Sequence, residues 1–525
     1  MSEELIAPNQ IVASITQAEA ARFLMQAGMG ASRAQISRVQ QLGYSAWIDE
    51  QFNLPLTKSR WDWLVSKGFH DATYRNSEAG FDACAWKKLI SSPDVLRQRM
   101  TLALSEILVV SIDGLVNGGG WKTFAAANYL DMLEKSCFGN YRDILQKVTT
   151  STAMSLYLTY RGNTKYNPIT GALPDENYAR ELMQLFTIGL IKLNPDGSSV
   201  TKNGVPVESY SLEDITGLAR VFTGWDFDLT SSNTATPDYH RRALKQVPSK
   251  HETGTASFLG KTLPAGLTGE VQLGMSLDIL FAHANIAPFI SRQLIQRFVT
   301  SNPSAGYISR ISAVFINNGK GVRGDMKAVI KAILLDTEAR SSANLSNPRF
   351  GKVREPLLRF LAWARTFNAN SPADTWLIGN TNDLGTRLGQ SPLRSPTVFN
   401  FFRPGYVPPN TAIANASLVA PEMQLVNESS VAGYLNFMQF AVNGSRRVGD
   451  LSADYRNLLP LADNATTLVN ELNLLLAAQQ ISSNNITTIR NAISSMPSGT
   501  DSNRLQRIHA ALTLVLATPE FIVQK

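Results

Sequence analysis

The chain has 525 residues, of which 44% are hydrophobic and only 17% are charged, and 49 Lys and Arg against 42 Asp and Glu give a net charge of +7. This length allows two or three domains or one large helical body. No basic run exceeds a pair such as Arg241–Arg242, which excludes the charge pattern of a nucleic-acid-binding protein. No apolar run approaches the roughly 18 residues needed to span a bilayer.

Asn, Ser and Thr replace the missing charges, a composition commoner in exported bacterial proteins than in cytosolic ones. The first residues, MSEELIAPNQIVAS, contain two acids and no basic region before an apolar stretch, so they predict no signal peptide. The localisation stays open between the cytoplasm, a signal-independent export route and a leader that is not part of this sequence. The only two cysteines, Cys84 and Cys137, lie in or beside apolar helical patterns, which favours two buried thiols over a disulfide.

Helical periodicity dominates the N-terminal region, residues 1–160. The stretch AEAARFLMQAG predicts a helix that Gly28 ends. Two short helices follow, then an apolar pair within 79–113 that is broken near Pro93, and further helices near 125–133 and 141–149. Their short connections predict a helical bundle.

The central region, residues 161–345, contains the one clear strand signal. Between residues 191 and 211, the turn signals Pro195-Asp196-Gly197 and Asn203-Gly204 separate short extended runs, which predicts a small β-hairpin or ribbon. Residues 226–265 have no helical periodicity, and their aromatic residues and two histidines favour an ordered loop over a disordered one. Helices return near 277–283, 288–300, 307–317 and 325–336.

The C-terminal region, residues 346–525, is helical around a second long loop. Arg354-Glu355-Pro356 predicts the end or a kink of a helix, because proline restricts the residue before it. The stretch RSPTVFNFFRPGYVPPNT, within 391–424, combines four aromatics with four prolines and predicts a rigid surface loop. The fold class is therefore mainly α: a large multi-helical body with one ribbon and two long ordered loops, built from these three regions or as one compact domain.

The stretch PDENYARELMQLFTIGL, residues 174–190, predicts a helix with a polar first turn. Asp175 has the position of an N-cap, and Glu176 and Arg180 are i,i+4 partners of opposite charge, so structure alone accounts for them. Glu181 diverges from Arg180 by about 100° around the helix and turns toward the apolar side. A carboxylate there needs a cation, a histidine or several donors, or its pKa must rise.

These residues predict a polar cleft. Its walls are the start of the 175–190 helix, the Thr223–Trp225 turn, the loop of His251 and the loop of His283. The catalytic candidates are Glu181, Arg180, His251 and His283, with Glu181 as general base and Arg180 as anion clamp. The substrate-binding candidates are Asn177, Thr223, Trp225 and Asn285. A divalent metal is a further candidate, with His251, His283 and Glu181 as ligands.

Each candidate also has a purely structural interpretation. The row of Asn177 and Glu181 suits a solvated helix face, and a lone histidine is more often structural than a ligand. The sequence contains no HExxH, CxxC or EF-hand pattern and no nucleophile elbow, P-loop or Rossmann fingerprint. No spacing rule therefore supports the metal site.

Several segments together resemble the bacterial family catalogued as domain of unknown function 1800, from about residue 19 to residue 524. The segments that carry the resemblance are ARFLMQAGMG, WIDEQF, ALSEILVV, CFGNYRDILQKV, PDENYARELMQLFTIGL, YSLEDITGLARVFTGW, HETGTASFLGK, HANIAPFISRQLIQRFVTSNP, GVRGDMKAVIKAILLD, GKVREPLLRF, SPTVFNFFRPGY and ATPEFIVQ. The sequence departs from the family in having Ala284 where a His-Pro-Asn motif has proline.

The resemblance implies a mostly helical protein without a settled activity. Members are often exported and often encoded beside a second family with a sulfatase-like look. The motif positions that it implies are Glu176, Asn177, Arg180, Glu181, Thr223, Gly224, Trp225, His251, Lys261, His283, Asn285, Arg354 and Glu355.

Two functions of different classes follow. The first is an enzyme with metal-dependent or acid–base chemistry in the His/Glu/Arg cleft, on an unknown substrate. The alternative is a non-catalytic helical scaffold that self-associates or pairs with a sulfatase-like partner, with the aromatic-proline loop as an exposed interface.

Overall fold

The structure is a computed structural model, and it describes residues 14–116, 119–230 and 232–525. The prediction about a signal peptide falls on residues 1–13 and lies outside the described residues. The fold class predicted from the sequence is confirmed, because α-helices dominate and the strands form only two-stranded sheets in the described part of the chain.

The first nine helices precede the polar stretch. Thr16 caps the first of them through a capping box with Glu19, and Gly28 ends it, as its sequence predicts. These helices are α1 (Gln17–Ala27), α2 (Arg33–Leu42), α3 (Tyr44–Asn53), α4 (Arg60–Ser66), α5 (Phe81–Ser91), α6 (Val95–Ile107), α7 (Lys122–Ser136), α8 (Tyr141–Thr149) and α9 (Thr152–Tyr157).

The central helices surround the polar stretch and the ribbon. A π-helix, Leu182–Thr187, continues the first of them without a break. These helices are α10 (Asn177–Glu181), α11 (Leu212–Ala219), α12 (Gly269–Ala282), α13 (Ile286–Phe298), α14 (Ala305–Ile316), α15 (Met326–Leu335) and α16 (Thr337–Arg340).

The last helices follow the segment Lys352–Glu355. Pro356 lies in the first turn of α17, where its missing N–H costs nothing, so the prediction that Arg354-Glu355-Pro356 ends or kinks a helix is wrong. These helices are α17 (Pro356–Thr366), α18 (Ala412–Asn415), α19 (Glu428–Val442), α20 (Ala465–Ala477), α21 (Ser483–Ser494), α22 (Asp501–Leu516) and α23 (Pro519–Ile522).

The strands form four short antiparallel pairs. The predicted ribbon is confirmed: β1 (Thr201–Lys202) pairs with β2 (Val205–Pro206), and both Asn203 and Gly204 have positive φ, as a two-residue hairpin turn requires. Bridges from Ile191 to Glu208 and from Leu193 to Ser199 extend the ribbon. The remaining pairs are β3 (Trp225–Asp226) with β4 (Lys245–Gln246), β5 (Ala256–Phe258) with β6 (Lys261–Leu263), and β7 (Lys352–Val353) with β8 (Val523–Gln524).

One cluster of buried apolar side chains extends from Ala20 to Phe521 and includes residues of all three predicted regions. The division at residues 160 and 345 therefore does not separate hydrophobic cores. The β7–β8 pair brings the C-terminal segment to Lys352, and Gln524 Nε2 donates to the carbonyl of Phe298 at the end of α13 (2.8 Å).

Among the described residues no single helix is long and apolar enough to span a membrane. The pair α12 and α13, bent by 74°, passes the same test on length and composition alone. Cys84 and Cys137 are buried and free, which confirms the interpretation of two separate thiols.

The packing of α11 on β5 depends on Gly217, because a Cβ at this position would overlap the backbone carbonyl oxygen of Ser257. We expect Gly217→Ala to lower the free energy of unfolding by about 2 kcal/mol or more, since neither backbone can yield without moving the other. Denaturation by guanidinium chloride measures this change.

A matched control is Gly274→Ala in the interior of α12, where an added Cβ meets no atom within 4 Å. There we expect a gain of about 0.5–1 kcal/mol from the better helix propensity of alanine. Equal effects of the two substitutions would contradict this account of the α11–β5 contact.

Candidate functional site

The polar stretch at residues 174–190 begins with local structural contacts. Asp175 Oδ1 accepts from the backbone N–H of Asn177 (2.7 Å), and Asn177 Nδ2 donates to the carbonyl of Leu158 (3.2 Å). Arg180 Nη2 lies 3.3 Å from Glu176 Oε2, which confirms the predicted i,i+4 pair. Asn177 and Arg180 therefore hold the helix start in place.

Glu181 turns away from this ion pair, as its position on the helix predicts. It is 8% exposed, whereas the Arg180 side chain is 42% exposed. Burial raises the pKa of Glu181, although the positive charge of Arg180 acts in the opposite direction. Its Oε2 has no hydrogen-bond partner among the described residues, so of the predicted alternatives the raised pKa is the one found.

His251 lies in a tight turn with two of the other candidates. Its Nδ1 is 3.0 Å from the carbonyl of Thr223 and 3.2 Å from the Thr223 hydroxyl, which also accepts from the backbone N–H of Glu252 (2.8 Å). Trp225 Nε1 donates to the carbonyl of Val221 (3.1 Å). Gly224, at a φ of 77°, allows the close approach of His251. Thr223, Trp225 and His251 are thus brought together in a buried turn.

His283 and Asn285 belong to a different environment. His283 is half-buried, its Nδ1 accepts from the backbone N–H of Asn285 (3.1 Å), and burial lowers its pKa. Asn285 is buried, and its Nδ2 donates to the carbonyls of Ile188 and Ile191 (both 2.8 Å). Its Oδ1 accepts from the N–H of Leu193 (2.9 Å). Asn285 therefore fixes the ribbon to the start of α13.

The predicted metal site is not assembled. Within the described ranges no group of three or more His, Cys, Asp or Glu side chains could hold a metal ion. Glu181, His251 and His283 are instead placed in three separate settings: the end of α10, the Thr223 turn and the α12–α13 connection.

A cavity of about 360 Å³ lies beside the π-helix, whose residues Gln184 and Leu185 form part of its wall. The wider π-helical turn is closed by Thr187, whose hydroxyl donates to the carbonyl of Leu182 five residues earlier (2.6 Å). π-helices are rare and frequently occur at functional sites. Three elements form most of the wall: the π-helix with the start of the ribbon, α13, and the loop 398–405. Most of this wall is apolar.

A group of charged side chains lies behind the cavity, all of them nine-tenths or more buried, which is rare for such residues. We call it the buried ionic cluster; its members are Arg99, Glu106, Arg297, Lys352, Glu355, Arg359 and Glu422.

Ion pairs and one shared carbonyl connect five of these side chains, namely Arg99, Glu106, Arg297, Lys352 and Glu422. Lys352 Nζ lies 2.9 Å from Glu422 Oε1 and also donates to the carbonyl of Arg297 (2.9 Å), which accepts from Arg99 as well. This carbonyl is in the last turn of α13, where helix carbonyls lack intrahelical partners and cations are favoured.

Glu106 and Glu355 form a hydrogen-bonded carboxyl pair inside the cluster. Burial and the charge of Glu355 raise the pKa of Glu106 well above the usual glutamate value. Burial also opposes ionisation of Glu355, but the hydrogen bond from Glu106 and the charges of Lys352, Arg99 and Arg297 outweigh it and lower its pKa. Ionisation is therefore easier at Glu355 than at Glu106.

The two helix ends favour the same directions for the two pKa values. Glu106 is in the last turn of α6, at the negative end of the helix dipole, whereas Glu355 is the N-cap of α17, at the positive end. Gln390 supports this arrangement, because its Nε2 donates to Glu355 Oε2 (2.6 Å) and its Oε1 accepts from the N–H of Leu357 (3.1 Å).

Four residues of the cavity wall carry a buried polar atom without a hydrogen-bond partner in the described part of the chain. Nη1 of Arg297 lies 3.0 Å from Oε2 of Glu106, yet neither atom makes a hydrogen bond of normal geometry. Gln293 Nε2 and Gln296 Oε1 are the other two. Buried polar atoms are almost always paired, so these four atoms mark a place where a ligand or ordered water would complete the hydrogen bonding.

The aromatic-proline loop covers this site. Phe402 is buried with its ring 4.6 Å from the Arg297 guanidinium carbon, Phe399 and Phe401 are half-buried, and Val398 and Arg403 line the cavity. Phe402 thus packs inward against the cluster, whereas Phe399 stacks on the exposed Arg403. That this loop forms an interface stays a prediction.

The catalytic candidates predicted from the sequence include neither Glu106 nor Glu355. One available signal was Glu106 as the only charge in the apolar run ALSEILVV, because a lone charge in such a run must be buried or break the pattern. Another was the presence of Glu355 among the motif positions implied by the family resemblance.

The fold and the site together define a mainly α protein with a buried carboxyl pair beside an apolar cavity. The family model described as "Protein of unknown function (DUF1800)" matches residues 22–523, so the chain belongs to this family. No curated protein and no solved structure matches the chain.

The raised pKa of Glu106 predicts a pH dependence of stability. Above about pH 4.3 the unfolded chain releases this proton while the folded chain keeps it. Below that pH, Glu106 makes its full contribution to the free energy of unfolding. Between that pH and the pKa of Glu106 in the folded protein, the contribution falls by about 1.4 kcal/mol for each unit of pH. Glu106→Gln removes the titration, so its stability should fall less steeply than that of the wild type.

Urea denaturation at several pH values between 4 and 9 measures this difference. Glu428→Gln, at the exposed start of α19, is the control for loss of one carboxyl group. Parallel stability profiles of wild type and Glu106→Gln would show that Glu106 keeps an ordinary pKa.

Proposed function

We propose that the protein is an enzyme that uses the Glu106–Glu355 pair as its general acid–base group on a small molecule bound in the cavity. The observation that carries the proposal is a buried carboxyl group in the wall of a cavity, Glu106, whose Oε2 makes no hydrogen bond of normal geometry and lies 3.0 Å from Nη1 of Arg297. Carboxyl groups with raised pKa values are used in this way as acids near neutral pH. The proposal keeps the acid–base chemistry predicted from the sequence and moves it from the cleft of Glu181, Arg180, His251 and His283 to Glu106.

The surroundings of Glu106 suit a proton donor. When the O–H bond of Glu106 breaks and the proton joins an atom of the ligand, two adjacent carboxylates result. Arg297, 3.0 Å away, and Arg99 with Lys352 around Glu355 offset this charge. Return of a proton from the ligand or from water to Glu106 restores the starting state.

Arg297 is ready for this step, because its Nη1 makes no other hydrogen bond. The phenyl ring of Phe402 covers its guanidinium group and keeps it in place. Donors that are already oriented stabilise developing charge without a cost of reorganisation.

The contact between the two carboxyl groups also argues against glycoside hydrolysis. Glycoside hydrolases separate their two carboxyl groups by about 5–9.5 Å so that a sugar or a water fits between them. Glu106 and Glu355 are hydrogen-bonded to each other, which favours a single acid with a shared proton.

Conversion of small molecules by the purified full chain tests the proposal. We expect wild type and Glu428→Gln to consume at least one compound of a fractionated bacterial metabolite extract, followed by mass spectrometry at pH 5–8. Glu106→Gln should consume it at least about 100-fold more slowly, because a general acid usually contributes a factor of that size.

Glu181→Gln decides between the two sites. If Glu181→Gln loses the conversion and Glu106→Gln keeps it, the site first predicted from the sequence is correct and the proposal is wrong. Unchanged conversion by Glu106→Gln, or no conversion by wild type in any fraction, would also overturn it.

The scaffold alternative, with self-association or a sulfatase-like partner, stays a prediction. Besides the aromatic-proline loop, the loop before α10 offers an exposed apolar surface. There Ile169 is 92% exposed on a turn closed by Asn167, whose N–H donates to Ala172 (3.0 Å). A monomer in light scattering that does not co-purify with a partner would contradict this alternative.

A further inference from the structure

Two arginines in the cavity wall have no carboxylate partner. Arg292, on α13, is half-buried, burial lowers its pKa, and its side chain makes neither an ion pair nor a hydrogen bond with any described residue. Arg403, on the loop, is exposed and stacks on Phe399, 4.6 Å from the ring centroid, also without an ion pair in the described ranges. Arginines of this kind bind carboxylate and phosphate groups.

The charged side chains behind the cavity wall include more cations than carboxyl groups, so their charge has the same sign as that of the two arginines. The buried ionic cluster contains four cations, Arg99, Arg297, Lys352 and Arg359, against three carboxyl groups. A positive potential in a cavity with apolar walls attracts anions and repels cations.

The rest of the wall is apolar. Leu185 comes from the π-helix, Ile191 from the start of the ribbon, Phe289 from α13 and Val398 from the loop. The volume of about 360 Å³ lies at the lower end of the roughly 300–1,000 Å³ range of small-molecule pockets. A short apolar body fills such a space.

The geometry points to a small amphipathic anion as the ligand of this cavity: a carboxylate or phosphate head held by Arg292 and Arg403, on a short apolar body that packs against Leu185, Ile191 and Phe289. The inference rests on the proposed function for what is done to the ligand. Binding of the head does not depend on the proton of Glu106, so the two ideas can fail separately.

Isothermal titration of the full chain tests this with four probes of one chain length: octanoate, octyl phosphate, octanol and octylammonium. We expect octanoate or octyl phosphate to bind at least tenfold more tightly than octanol, because an added charged hydrogen bond has about that effect, and octylammonium to bind most weakly. The order of octanoate and octyl phosphate identifies the head that the two arginines prefer.

Substitutions of the two arginines test where the anionic head of the ligand binds. Arg292→Gln and Arg403→Gln should each weaken binding of the preferred anion about tenfold and leave octanol unchanged. Arg349→Gln is the matched control, because Arg349 is exposed and lies outside the cavity. Octanol binding as tightly as the anions, unchanged anion binding in both arginine variants, or no binding of any probe would overturn the inference.

Glu106→Gln separates this inference from the proposed function. The amide has the size and neutrality of the protonated acid, so we expect its affinity for the preferred anion to stay within about twofold of the wild type. Anion binding that persists while no compound is converted would overturn the enzyme proposal alone. Conversion that depends on Glu106 without anion selectivity would overturn the ligand class alone.

Discussion

The opposite polarity of two helix ends is the constraint on which the candidate site depends. Glu106 lies at the C-terminal end of α6 and Glu355 at the N-terminal end of α17, and their carboxyl groups meet in the protein interior. Helix dipoles favour the neutral acid at the first end and the carboxylate at the second. In this buried pair of like groups, the helix ends therefore favour ionisation of Glu355 over ionisation of Glu106.

The rest of the chain maintains this pair. Burying so many charges is costly unless they are mutually paired, and the contacts come from distant segments: Arg297 from the end of α13, Lys352 from β7 and Glu422 from the turn Pro421–Leu425. The C-terminal strand β8 pairs with β7 and so holds Lys352 in register. The π-helix and the aromatic-proline loop then enclose the cavity that gives a small molecule access to Glu106.

Local features of the fold could be predicted from the sequence. The hairpin at Asn203-Gly204 and the Glu176–Arg180 pair depend only on neighbouring residues. The capping box of Ser211 and Asp214 is equally local. The inward orientation of Glu181 follows from helix geometry alone. The π-helix could not be predicted, because its residues have the same apolar spacing as an α-helix.

The carboxyl pair could not be predicted for a different reason. Glu106 and Glu355 are far apart in the chain, and no periodicity relates a residue at the end of one helix to the cap of another. The histidines were candidates because of their chemistry, but Nδ1 of His251 contacts Thr223 and Nδ1 of His283 accepts from the backbone of Asn285. Side-chain type therefore indicated candidates, whereas burial and helix polarity selected among them.

The protonation of Glu106 at neutral pH is the central claim, and infrared difference spectroscopy measures it directly. The spectrum of wild type minus Glu106→Gln at pH 7 should contain the C=O stretching band of a protonated carboxylic acid, shifted by exchange into D₂O. A difference spectrum that contains only carboxylate bands would show that both glutamates are ionised and would contradict the account.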